Sequence, residues 1–134
     1  MKKILYYITD HGKGHATRSI AIIQEILKYN IEVIVRNSSA LEFFKQSLPD
    51  TKIIPGLTDV GSTIKKDGFS IDKIETKKNQ IKWIHDFEKN LLAEKQIVKK
   101  INPDLIVSDI SAIPFLVSKK VSIPSIAISN FSWY

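Results

Sequence analysis

The sequence predicts an α/β fold: a Rossmann-like, doubly wound parallel sheet with strand order 3-2-1-4-5. Three observations carry that expectation. Short runs rich in β-branched residues alternate with longer amphipathic stretches along the 134 residues. Such alternation calls for right-handed parallel crossovers and a sheet covered on both faces. The first strand-like run also leads straight into TDHGKGHATRS (9–19), a loop with two glycines and two histidines set before a helix-like stretch.

Each element has a local reason. KKILYYI (2–8) is apolar on both faces from Ile4 on, as a buried strand must be, and ATRSIAIIQEILKYN (16–30) reads as a helix closed by Asn30. IEVIVR (31–36) is a second strand. NSSALEFFKQSL (37–48) reads as a helix in which Ser39 stands three residues before Glu42, the spacing of a capping box. TKIIP (51–55) is a short third strand, and GLTDVGSTIKKDGFSID (56–72) has three glycines and no period, as expected of a long loop. KIETKKNQIKWIHDFEKNLLAEKQIVKKI (73–101) is predicted as one long helix. Its apolar face would hold Ile81, Ile84, Leu91, Val98 and Ile101, with Asn102-Pro103 as its end. DLIVSD (104–109), SAIPFLVSKK (111–120, with Pro114 in its first turn) and PSIAIS (124–129) complete the pattern as strand, helix and strand. No repeat, low-complexity tract or linker interrupts it, so residues 1–134 read as a single domain.

Composition narrows the class. The chain is 43% hydrophobic and 25% charged, as in soluble globular proteins. No apolar run approaches the roughly 18 residues that span a bilayer, and the start lacks a signal-type cleavage site. Without cysteine there are no disulfides or thiolate metal sites, which fits a cytoplasmic protein. The net charge of +6 comes almost wholly from lysine, because Arg18 and Arg36 are the two arginines. Residues 61–102 hold ten lysines against six acids. That surface suits nucleotides, anionic headgroups or simply solvent. With no arginine cluster and no aromatic–basic alternation, nucleic acid is not an expected partner.

The site is expected where the strand order reverses, between strands 1 and 4, at the carboxyl ends of the strands. There the 9–19 loop meets SDISA (108–112). A dinucleotide fingerprint is incomplete: Gly12 and Gly14 match, but Thr17 replaces the third glycine and VRNSS offers no acid. Arg36 keeps an NADP-binding reading open through a 2′-phosphate. His11 and His15 are four residues apart, yet glycines lie between them and no third ligand is evident, so no metal is expected. What remains is a loop whose amides and helix start receive a phosphate, with Thr17, Arg18 and Ser19 near that start. His15 lies just before it and Asp109 closes strand 4 opposite. A carboxylate that accepts one imidazole N–H leaves the other nitrogen to take a proton. The plainer alternative makes His15 a loop-stabilising donor and Asp109 a helix cap.

HGKGHATRSIAI, together with PDLIVSDISAIPFLVSKKVSIPSIAISNFSW, resembles the amino-terminal domain of GT-B glycosyltransferases. The likeness is greatest to MurG-like predicted glycosyltransferases with a G-x-G-H-x-T-R motif and to the glycosyltransferase-like half of plant L-arabinokinase. It runs over almost the whole chain, with 56–75 alike only in kind. The resemblance implies inverting transfer of a sugar from a nucleotide-sugar, a UDP-sugar first among them, to an acceptor hydroxyl. It implies His15 as the general base and Asp109 as the acid that orients it. Gly12, Gly14, Thr17, Arg18 and Asn130 would contact donor or substrate, with no cofactor and no metal. It also implies a second, donor-binding domain, downstream or as a partner subunit, without which this piece is inactive. In such relatives the 56–72 side faces the acceptor, in some cases a lipid-linked one at the inner membrane face. There Lys65, Lys66, Lys73, Lys77 and Lys78, with Phe69 and Trp83, would meet an anionic acceptor or headgroup. A non-catalytic sugar-nucleotide or phosphate-binding module is the alternative from another class.

Overall fold

The computed structural model describes residues 1–129. Five parallel strands, β1 (Lys2–Ile8), β2 (Ile31–Asn37), β3 (Lys52–Pro55), β4 (Leu105–Asp109) and β5 (Ser125–Ile128), form one sheet in the expected order β3-β2-β1-β4-β5. The helices are α1 (Lys13–Leu27), α2 (Leu41–Ser47), α3 (Lys73–His85), α4 (Phe87–Ile101) and α5 (Ile113–Val121). The two-residue period of β1 divides the core. Ile4, Tyr6 and Ile8 pack with Ala16, Ile20 and Ile23 of α1 and Phe44 of α2 on one face. Leu5 and Tyr7 pack with Leu91 and Val98 of α4 and Ile113 and Val117 of α5 on the other. Burying β1 on both sides makes it the centre of the domain and aims its carboxyl end at the switch point.

Four local expectations change. Helix α1 begins at Lys13 rather than Ala16, because Gly12 supplies the turn: its φ of 77° and ψ of 161° suit only glycine. Gly14 and His15 are therefore inside the first helical turn. The capping box of α2 does not form. Ala40 is the N-cap and its amide donates to Asn37 Oδ1 at 2.8 Å, while the Ser38 and Ser39 amides go to Asp10 Oδ1 at 2.9 Å each. Third, the long helix is two helices that part at Asp86, whose carboxylate accepts from Lys82 Nζ at 2.7 Å and pairs with the His85 ring at 2.9 Å. Those cationic partners pull the Asp86 carboxyl down to about 2. Only α4 lies on the sheet, so Leu91 and Val98 are buried, whereas Ile81 and Ile84 on α3 are 57% and 73% exposed. Last, the 56–72 loop contains a small hairpin, with Ile64 bridged antiparallel to Ile71 around Gly68 at φ 78°. Asp67 holds its turn by accepting from the amides of Phe69 and Ser70, both at 2.9 Å. The Ser70 hydroxyl first, and then those amides, hold its carboxyl below the usual carboxylate range.

Beneath α4 lies a buried polar cluster. Arg36 donates through Nε to Glu94 Oε2 at 3.2 Å and through Nη2 to Glu94 Oε1, and Tyr7 Oη donates to Glu94 Oε2 at 3.0 Å. Arg36 Nη1 satisfies the carbonyls of Ile54 and Pro55 at the end of β3. Burial and the neighbouring Glu94 charge raise the Tyr7 phenol far above its usual range, so it stays a proton donor. The pair crosses from β2 to α4, and removing one partner leaves the other charge buried and uncompensated. Arg36→Met is expected to cost about 3 kcal/mol in urea unfolding, whereas Arg36→Met with Glu94→Leu recovers most of that loss. Equal destabilisation by the single and double changes would show that the ion pair is not the source of the cost.

Candidate functional site

At the carboxyl edge of β1 and β4, Asp109 is fully buried and its carboxylate is encircled. His15 Nδ1 lies 2.9 Å from Oδ1; Arg18 Nη2 donates to Oδ1 at 2.6 Å and Arg18 Nε to Oδ2 at 3.3 Å; Ser19 Oγ donates to Oδ2 at 3.0 Å. His15, Arg18 and Ser19 are spaced i, i+3, i+4 on α1, so one helical face delivers all three to one carboxylate. The Thr9 amide donates to the Asp109 carbonyl at 3.2 Å, extending the β1–β4 ladder to the site. A buried carboxylate requires this degree of pairing.

The 2.9 Å contact turns Nδ1 of the ring toward the carboxylate and Nε2 away from it. A carboxylate that accepts from Nδ1–H leaves Nε2 as the nitrogen able to accept a proton. Nε2 makes no hydrogen bond among the described residues, and the His15 side chain is 26% exposed. Arg18 Nη2 also lies 3.3 Å from Nδ1, so the guanidinium stands beside the ring and both meet the same carboxylate oxygen. Directly after Asp109, Ile110 has φ 75°, a left-handed conformation that a β-branched residue rarely adopts. Strain of that kind persists only where the surroundings over-determine it.

The other expected residues are placed as follows. Gly12 and Gly14 lie bare at the start of α1, with open space where a Cβ would stand at each. No acidic residue or side-chain cap occupies that first turn, so its amides face outward unfilled by the chain's own groups. Arg18 is at the site, but as the partner of Asp109. Thr17 is not: two residues beyond His15, it is on the far side of α1, exposed, and its hydroxyl donates to the Lys13 carbonyl at 2.9 Å. Asn130 falls outside the described residues. Arg36, expected as a 2′-phosphate contact, is buried under α4 with Glu94, which removes the residue on which an NADP-binding reading depended.

Sequence reasoning missed a second layer that positions the loop. Asp59, from 56–72, accepts from Ser111 Oγ at 2.7 Å and from the Asp10 amide at 3.4 Å, and lies 3.7 Å from His11 Nε2. Thr58 Oγ1 meets Ser111 Oγ at 3.2 Å. Asp10 ties the same turn to the β2–α2 loop, its Oδ2 accepting from Ser38 Oγ at 2.7 Å. Asn37 Nδ2 donates to the Ile8 carbonyl at 3.0 Å. Asp59 sat inside an aperiodic stretch with no partner in sequence, so no local pattern could have found it. His11 turns toward Asp59 rather than toward His15, and no group of three or more His, Asp or Glu side chains able to hold a metal forms among the described residues.

Comparison with known proteins follows the same lines. L-arabinokinase of Arabidopsis thaliana is 26% identical over 131 residues, which is 96% of this chain and 12% of that protein. MurG of Acinetobacter baumannii superposes with a TM-score of 0.66 at 11% identity, over 96% of this chain and 35% of that one. A UGT transferase from Siraitia grosvenorii in complex with UDP gives a TM-score of 0.59 at 16% identity, over 96% of this chain and 28% of that one. The chain therefore spans a minor part of the length of each, and its five-stranded 3-2-1-4-5 sheet is that of GT-B glycosyltransferases. The model of the family "Glycosyl transferase family 1" matches residues 2–133, and this chain belongs to that family.

Proposed function

We propose that this chain is the acceptor-side domain of an inverting glycosyltransferase in which His15 is the general base. The observation that carries the reading is the 2.9 Å contact between His15 Nδ1 and the buried Asp109, which leaves Nε2 as a proton acceptor at the crevice. In the step, Nε2 takes the proton of the acceptor hydroxyl as its oxygen attacks the anomeric carbon of the donor sugar. The bond from that carbon to the diphosphate oxygen breaks with inversion, and the nucleoside diphosphate leaves with the electron pair. Asp109 faces the imidazolium that forms, and Arg18 and Ser19 hold the carboxylate in place meanwhile. The open first turn of α1 with Gly12 and Gly14 is where a diphosphate approaches this domain. The donor is a nucleotide-sugar, with a UDP-sugar the first to assay, given the UDP-bound neighbour. A second domain, in the same polypeptide or as a partner subunit, holds most of that donor, so the chain by itself is inactive.

His15→Ala is expected to lower kcat by roughly 10²–10⁴ in the complete transferase, with little change in donor affinity. Asp109→Asn should lose much of the same factor, and the double variant scarcely more than either single one, since both act on one proton transfer. A capping role predicts a different outcome: a lower melting temperature with turnover per folded molecule intact. Turnover and thermal unfolding on the four proteins of that cycle separate the two, and normal turnover in His15→Ala removes the histidine from the mechanism.

The outer face of α3 gives the acceptor side a membrane-facing reading. Ile74 is 84% exposed and Phe69 91%, and Lys73, Lys77 and Lys78 share the outer face of the helix with Ile74 and Ile81. Trp83 is on the other side, edge-on to Phe87 at 6.5 Å, which excludes it from this surface. No helix among the described residues is long and apolar enough to cross a membrane. An interfacial helix with basic flanks instead binds an anionic leaflet at about 1 kcal/mol per lysine. The expected result is sedimentation with phosphatidylglycerol-containing vesicles, weakened by salt and by Lys73→Glu with Lys77→Glu and Lys78→Glu. Equal sedimentation with and without anionic lipid would end the membrane reading.

A further inference from the structure

The carboxylate–imidazole pair of Asp59 and His11 has no part in the proton transfer above, yet its carboxylate joins two neighbouring loops. Asp59 stands on the irregular stretch between β3 and the Ile64–Ile71 bridge. Its carboxylate is reached by the hydroxyl of Ser111 from the β4–α5 loop, by the amide of Asp10 from the β1–α1 turn, and by the ring of His11 from that same turn. The side chain of Asp59 is 17% exposed and that of His11 40%, so the carboxylate is shielded from the inner side while the ring stays open to water. Gly61 completes the arrangement. A Cβ at that position would stand 2.0 Å from His11 Cε1, so the loop backbone lies directly on the imidazole and a larger residue there would displace the ring. While Thr58 and Asp59 bind inward, Leu57 and Val60 of the same turn line a groove of about 480 Å³ whose far wall is Trp83 and Asn90.

From this geometry we infer that Asp59 latches the 57–61 segment onto the β1–α1 turn and is a positioning residue for the acceptor side of the site. This inference rests on the glycosyltransferase reading for its kinetic consequence, but the latch itself does not. The carboxylate is the sole group of that segment that engages two neighbouring loops through one side chain among the described contacts. Losing it leaves the segment held to Ser111 by Thr58 but cuts its ties to the β1–α1 turn, loosening Leu57 and Val60 on that side of the groove, while His15, Asp109 and the first turn of α1 keep their own bonds. The effect should therefore fall on the acceptor and spare the donor. Asp59→Asn keeps an acceptor oxygen for Ser111 but loses the charge facing His11, so it should fall between the wild type and Asp59→Ala.

Amide hydrogen exchange on the chain tests the latch without any assay of activity. Asp59→Ala should speed exchange of the Asp10 amide and of residues 57–61 by roughly tenfold, Asp59→Asn by less, and His15→Ala not at all. Steady-state kinetics on the complete transferase then test the positioning role. Asp59→Ala should raise the acceptor KM by roughly tenfold and leave donor KM and kcat at saturating acceptor within about threefold. Unchanged exchange at Asp10 and 57–61 overturns the latch. An equal loss in kcat, with acceptor KM unmoved, overturns the positioning role and makes Asp59 a fold residue. If the wild-type protein transfers no sugar, the glycosyltransferase reading and the positioning role fail together, and the exchange result still decides the latch.

Discussion

The site depends on the burial of one negative charge. Asp109 ends the strand next to β1, has no access to water, and its carboxylate is met there by Arg18, Ser19 and His15 from α1. The same contacts fasten the first helix to the fourth strand across 90 residues or more of sequence, so the crevice edge and the position of the imidazole are set by one interaction. The neighbouring Ile110 is held at a positive φ, which is the conformational cost, about 1–3 kcal/mol, of turning the chain sharply enough to present that carboxylate. Remove the charge and Arg18 loses its partner, the helix loses its tie, and the imidazole loses its orientation together.

The chain's two arginines perform the same task on opposite faces of the sheet. Arg18 neutralises Asp109 on the α1 side and Arg36 neutralises Glu94 on the α4 side, both through more than one guanidinium nitrogen. A planar, forked donor with weak hydration suits a buried carboxylate, whereas a lysine ammonium is more costly to desolvate and carries no fork. That division explains the charge pattern of the sequence. Lysine supplies the net positive charge and remains on the surface, while arginine is reserved for the interior.

The order of strands was legible because it follows from alternation and handedness alone, and the switch point placed His15 and Asp109 on one edge before any contact was known. What the sequence obscured was competition between partners. Ser39 and Glu42 have capping-box spacing, but the Asp10 carboxylate takes the Ser39 amide, and Asn37 takes that of Ala40. Arg36 was open as a phosphate contact until Glu94, 58 positions away, claimed it. Residues 73–101 have a continuous helical pattern, yet only α4 has a sheet to cover, so an apolar stripe that looked like one face divides into a buried half and an exposed half. Arg18 was assigned to the ligand although its i, i+3 spacing from His15 already pointed to a shared target. Each miss came from a long-range partner that periodicity does not encode.

Electrostatics around the crevice also say what this domain leaves to others. Asp109 is paired with Arg18, whereas among the described residues Asp10 and Asp59 meet amides, hydroxyls and the His11 ring, and both lie beside the β1–α1 turn. The lysine-rich stretch is not there; its lysines are carried by the hairpin, α3 and α4, outside the 57–61 segment. A diphosphate brought to this edge thus finds the amides at the start of α1, with Lys13 at their head, and two carboxylates close by. That setting suits a hydroxyl acceptor and its base better than it suits a doubly charged donor. On the glycosyltransferase reading, the domain therefore contributes a preorganised base and an acceptor wall, and the positive charge required by the departing nucleoside diphosphate has to come from the facing domain.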